Sequence, residues 1–174
     1  MLSNSEERYG SMSIALHWAM LLLIAAVYAC IELRVNFPKG SETREALKHW
    51  HFMLGLAVLL LVVVRLGVNL YRRPKAPNLP ARLGHAALYL FMIGMPIAGW
   101  LILSAEGEPV PFFGLELPPL MAPDEVLGKS IEELHETVGT IGYWLVGLHA
   151  AAALLHHYVL RDDTLRRMLP LRRS

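Results

Sequence analysis

The chain has 174 residues, 55% of them hydrophobic and 18% charged, with a mean hydropathy of +0.41 and a formal net charge of +1. That apolar content exceeds what a soluble domain of this size buries and marks a small protein of the lipid bilayer; with so little net charge, no nucleic-acid partner is expected. The single cysteine, Cys30, excludes a disulfide framework within the chain, and its apolar surroundings make it an inert buried thiol.

The first apolar run covers residues 13–33 and contains His17-Trp18. Its leader carries Glu6 and Glu7 against Arg8, where a secretory signal needs a positive start, so the run is expected to remain as a spanning helix. The second covers 49–71, with Arg65 near its far end, and the third 83–105. A loop rich in Pro and Gly follows: Glu108-Pro109-Val110-Pro111-Phe112-Phe113-Gly114, then Leu117-Pro118-Pro119. Proline prevents a regular helix there, and the apolar residues place the loop on the membrane surface or over the end of the bundle. Ser130-Ile131-Glu132-Glu133 has the pattern of a capping box that starts a fourth helix, whose apolar part covers 137–160.

Each run is near the ~20 residues that span a bilayer core. With no repeat and no room for a soluble unit, residues 1–174 read as one membrane domain. The expected fold is all-α, an integral membrane four-helix bundle running up-down-up-down. Placing both termini inside puts eleven Lys and Arg inside and five outside, so both termini are expected in the cytoplasm.

The histidines carry the chemistry. His135 and His149 are fourteen residues apart, which returns them to nearly one face of a helix at depths separated by ~21 Å, at ~1.5 Å per residue. Imidazole is costly to bury without a partner and is a common metal ligand. With the termini inside, depth pairs His51 with His135 at the outer side and His17 with His149 at the inner side. Gly55, Gly139 and Ala153 each follow one of these histidines by four residues and leave room for a flat porphyrin. Two haems are therefore expected, held by coordination and packing, because no Cys-x-x-Cys-His attachment exists.

Arg65 is fourteen residues from His51, which places it on the haem-facing side near the inner site. A guanidinium there suits a haem propionate or a quinone, the alternative being an arginine that snorkels to the interface. His49 is the rival to His51 as a ligand. His85, at the inner start of the third helix, and His156, two turns below His149, are quinone candidates; His157 points elsewhere. The competing reading is a transporter with packing or proton-carrying histidines. Zinc-type sites favour closer spacings and acids, and the helix interiors contain no Asp or Glu.

At these residues the sequence resembles the bacterial cytochrome b561 family, in one superfamily with the b-type membrane subunits of nickel hydrogenases and formate dehydrogenases. The likeness covers nearly the whole chain. It rests on Ser13-Ile14-Ala15-Leu16-His17-Trp18, Val63-Val64-Arg65-Leu66, Leu83-Gly84-His85 and His135-Glu136-Thr137. Beyond these it continues through Gly147-Leu148-His149-Ala150-Ala151-Ala152, His156-His157-Tyr158 and Asp163-Thr164-Leu165-Arg166-Arg167-Met168. The resemblance implies two b haems with ligands at His17, His51, His135 and His149, and a location in the bacterial inner membrane. For stand-alone four-helix members it also implies electron transfer from superoxide to ubiquinone.

Superoxide is an anion, yet the segment from Glu106 to Glu136 carries eight acids and only Lys129. Steering is left to Arg34, Lys39, Arg44, Lys48 and Lys129. If these do not surround the outer haem, the donor is a periplasmic protein instead, and the chain is the cytochrome subunit of a dehydrogenase or hydrogenase.

Overall fold

The computed structural model describes residues 9–72 and 78–169. Arg8, Arg73, Lys75, Arg172 and Arg173 of the charge argument lie outside the described residues, as do Glu6 and Glu7. Four helices are long and apolar enough to cross a membrane: α1 (Ser11–Leu33), α2 (Glu42–Arg72), α3 (Leu79–Glu106) and α4 (Glu125–Tyr158). They form the expected up-down-up-down bundle, with α1 packed on α2, α2 on α3 and α3 on α4.

The helix ends differ from the hydropathy boundaries, because hydropathy reports contact with lipid and the helices continue beyond it. α2 starts seven residues before the apolar run, with Glu42 and Glu45 in its first turn, where carboxylates favour the positive end of the helix dipole. α4 starts at Glu125. The capping box expected at Ser130 does not form: Asp124 is the N-cap and accepts from the Leu127 N–H at 3.0 Å. Ser130 lies inside the helix, where its hydroxyl donates back to the Val126 carbonyl at 3.1 Å. α3 is capped by Asn78, which accepts from Ala81 N–H, and ends on Gly107 at φ 71°, whose N–H bonds the Leu103 and Ser104 carbonyls.

The Pro-rich loop holds a small hairpin, β1 (Val110–Phe112) paired antiparallel with β2 (Leu115–Leu117). Its two turn residues, Phe113 and Gly114, both have positive φ (46° and 86°), the requirement of the tight hairpin turn that matches strand twist. Val110 is buried against Leu56 and Leu103, so the hairpin packs over α2 and α3 at the end of the bundle nearer His51, the outer end in the expected orientation. A second cluster, Met20, Val58, Val62 and Met92, joins α1, α2 and α3 at mid-height. Leu22, Leu60, Trp144 and Leu148 face outward, as lipid-facing residues do.

α4 packs along α3 and stands off α1 and α2 for most of its length. One bridge to α1 is built from Tyr28, whose hydroxyl donates to the Gly139 carbonyl at 2.7 Å and whose ring lies 4.3 Å from that of Tyr143. Gly142 makes the approach possible, since a Cβ there meets the Tyr28 hydroxyl and the Phe91 ring. Past α4 the chain turns at Arg161, with φ 54°, and forms a 3-10 turn over Arg166–Met168. The indole N–H of Trp18 then donates to the Met168 carbonyl at 2.7 Å, tying the tail to α1.

Candidate functional site

α4 presents His135 and His149 toward the space it leaves against α1 and α2, and each meets a ring from another helix. His149 faces His17 of α1 with ring centres 6.2 Å apart, and His135 faces His51 of α2 at 6.3 Å. A metal–imidazole nitrogen bond is about 2.0–2.1 Å long and the nitrogen lies about 1.1 Å from its ring centre, so two imidazoles across one ion have centres about 6.2–6.4 Å apart. Both separations fall within that interval.

The His51 ring is oriented from behind, its Nδ1 lying 3.1 Å from the Val27 carbonyl. A carbonyl accepts, so Nδ1 carries the proton and Nε2 keeps the lone pair that binds a metal. Among the described residues the buried Nδ1 atoms of His17 and His135 have no hydrogen-bond partner, so one ring in each pair has bonding capacity that these residues do not use. Among the described residues no three His, Cys, Asp or Glu gather into a metal cage. Two facing imidazoles are a donor set that could hold a haem iron, with the haem itself supplying the remaining donors. The residues fit a haem at each pair.

The outer pair borders a cavity of about 430 Å³, within the roughly 300–1,000 Å³ of small-molecule sites. Its walls are apolar, from Val27, Phe52, Phe91 and Met95, and glycines open three helix surfaces to it. A Cβ at Gly55 meets nothing within 4 Å, whereas Gly99 faces the His135 ring and Gly139 the Met95 side chain. Arg34 and Lys48 also line this cavity, and Arg34 Nε is buried without a partner. Arg44 is engaged elsewhere, donating to the Arg34 and Phe37 carbonyls. The carboxylates at the cavity are Glu32, Glu106, Glu132 and Glu136, of which Glu32 accepts from the Tyr143 hydroxyl at 2.6 Å.

At the inner end, the His85 ring lies 5.9 Å from that of His149, and Arg65 is near enough to act electrostatically on His17, His85 and His149. His49 is exposed; the ring turned toward His135 is that of His51. His156 bonds Asp162 across the end of α4 at 2.5 Å, while the His157 ring meets that of Tyr158 edge-on. The hydrogen bond from His156, with further ones from Thr164, holds the Asp162 carboxyl down at about 2.

Two groups of residues at these sites escape sequence reading. Asp162 is six residues from His156, off any helical period, and reaches it only because the chain reverses at Arg161. Tyr28, Glu32 and Tyr143 join helices 111 residues apart in the chain, which no local pattern signals.

The family model for prokaryotic cytochrome b561 matches residues 8–171. The chain is 36% identical to "Cytochrome b561 homolog 1" of Escherichia coli K12, covering 95% of this chain and 99% of that protein. It is also 36% identical to "Probable superoxide oxidase CybB" of Yersinia pestis, covering 97% and 99%. Similarity to "Cytochrome b561 homolog 2" of Escherichia coli K12 is 30%, over 96% and 94%.

Proposed function

The chain belongs to the prokaryotic cytochrome b561 family of multi-pass bacterial membrane proteins that bind b haem and transfer electrons, and we propose that it carries electrons from periplasmic superoxide to ubiquinone. The observation that carries the reading is the two opposed imidazole pairs at the two ends of α4, His51–His135 and His17–His149. Each pair is assigned one b haem in the inner membrane. A haem held between His51 and His135, or between His17 and His149, would supply one-electron transfer there.

The polypeptide's part is orientation, packing and charge. Val27 fixes the His51 tautomer, and the hairpin packs with Phe52 and Trp100 beside the outer pair. Both termini are placed in the cytoplasm, so the outer pair faces the periplasm. There Arg34 and Lys48 offer positive charge to an anion, and Arg34 has an unused buried donor. A relative named as a superoxide oxidase supports that choice of donor. At the inner end Arg65, His85 and His156 are the groups that present hydrogen-bond donors to a quinone.

The test follows the haem absorbance under a superoxide source and then on adding ubiquinone. Superoxide reduces the haems and ubiquinone reoxidises them; Arg34→Ala with Lys48→Ala slows the first step several-fold and flattens its salt dependence. Haems that superoxide leaves oxidised sink the reading. The acids Glu106, Glu132 and Glu136 at the same cavity favour a second one, a cytochrome subunit docked on a dehydrogenase or hydrogenase with a basic face. In that case a protein donor reduces haems that superoxide does not.

A further inference from the structure

We propose that Asp162 is a positioning residue that makes His156 the proton donor to the quinone, taking protons from the aqueous phase at the inner face. The inference rests on the quinone reading above and deepens it at one residue.

His156 closes the last full turn of α4. Three residues later the helix has ended, and Arg161 in the left-handed region folds the chain back. Asp162 is then held at both ends. Its N–H donates to the His156 carbonyl at 3.1 Å, its Oδ2 lies 2.5 Å from His156 Nδ1, and its Oδ1 accepts from the Thr164 N–H at 2.9 Å. The segment that follows is pinned to α1 through Trp18 and Met168, beside His17. The carboxylate cannot swing away from the imidazole without breaking this set.

A carboxylate on Nδ1 keeps a proton there and leaves Nε2 as the nitrogen that exchanges. The two side chains are 38% and 43% exposed, so water reaches the pair while α4 carries it at the end of the apolar span. Along the chain the pair is flanked by Arg161 and Arg167, with Arg166 engaged by Asp163 at 3.7 Å; these cations attract a reduced, more basic quinone oxygen. The His157 ring meets that of Tyr158 edge-on and, among the described residues, makes no side-chain hydrogen bond. It lacks the orienting group.

The balance is that of a two-electron reduction. The quinone takes two electrons, one at a time, from the electron-transfer chain of the protein, and two protons. At the quinone oxygen that faces His156 an Nε2–H bond of protonated His156 breaks and an O–H bond forms, and the opposite oxygen takes its proton from water. Inner-side water then returns a proton to Nε2, and the Nδ1 proton stays on the Asp162 bond throughout.

A purely structural clasp also explains the geometry, so the test needs a readout that packing does not move. In the purified full-length haem protein, reoxidation of dithionite-reduced haem by ubiquinone is followed by stopped flow in H2O and in D2O. Asp162→Asn and His156→Ala are each expected to slow it about ten-fold or more with unchanged haem content and spectra. The solvent isotope effect rises in Asp162→Asn, and added imidazole restores rate to His156→Ala. Asp163→Asn, which breaks only the surface pair with Arg166, leaves rate and isotope effect as they were. If His156→Ala reoxidises at the normal rate, the quinone is bound away from His156 and this proposal falls, while ubiquinone as the acceptor stands. If His156→Ala is slow but Asp162→Asn is normal, or is slow with an unchanged isotope effect, the quinone site stands and the positioning role is overturned.

Discussion

Replacing Gly142 by alanine tests how the bridge between α1 and α4 sets the outer haem site. A Cβ at this position meets the Tyr28 hydroxyl and two carbons of the Phe91 ring, all closer than 3.0 Å. The Tyr28 hydroxyl is tethered to the Gly139 carbonyl and its ring lies on Tyr143, so it yields only by breaking these contacts and turning into the cavity that it lines. Overpacking of this kind costs about 1–3 kcal/mol. The helix-propensity gain of Gly→Ala returns at most about 0.8–1 kcal/mol, which leaves a net loss of up to about 2 kcal/mol. Gly147 is the control on the same helix. Nothing lies within 4 Å of its added Cβ, so Gly147→Ala keeps the propensity gain alone. Displacing Tyr28 also moves its neighbour Val27, whose carbonyl orients His51. Gly142→Ala should therefore unfold at lower denaturant or temperature than wild type in detergent and shift the spectrum and potential of the outer haem more than the inner. Gly147→Ala should be neutral or stabilising. A Gly142→Ala protein as stable as wild type with both haems unchanged refutes the reasoning.

The other predictions are briefer. His51→Ala abolishes the outer haem while His49→Ala retains it, read by pyridine haemochrome; the reverse pattern exchanges the two assignments. Asp162 has a folded-state pKa of about 2, below its ordinary 3.8, so its contribution is present above that ordinary value and is lost as pH falls toward 2. Carboxyl NMR should give a midpoint near 2 that rises toward 3.8 in His156→Ala. Alkaline phosphatase fused after Ser174 should be inactive in intact cells, and active when inserted at the Phe113–Gly114 turn; the opposite result inverts inside and outside.

What was legible in the sequence follows from what repeats along a helix. His135 and His149, fourteen residues apart, advertise one face at two depths, and their partners His17 and His51 follow from matching depths across antiparallel helices. The same interval places Arg65 toward His17 and His149, on which it acts electrostatically. Helix ends were less visible, because Asp124 rather than Ser130 caps α4 in a stretch where charged and apolar residues alternate without a continuous apolar run. The hairpin was hidden because its turn places Phe113, a residue with no preference for positive φ, beside Gly114. Least legible were contacts that close across chain reversals or distant helices: His156 with Asp162, Trp18 with Met168, Tyr28 with Gly142. They depend on the path of the chain after α4 and on how closely α1 approaches it, and neither leaves a periodic trace.

The central claim is that each imidazole pair holds one haem. Pyridine haemochrome analysis of the purified chain against its polypeptide concentration measures that directly. Two protohaems per chain are predicted, falling to one when either His17 or His51 is replaced by alanine. A colourless protein, or a single haem unaffected by one of those substitutions, contradicts the account.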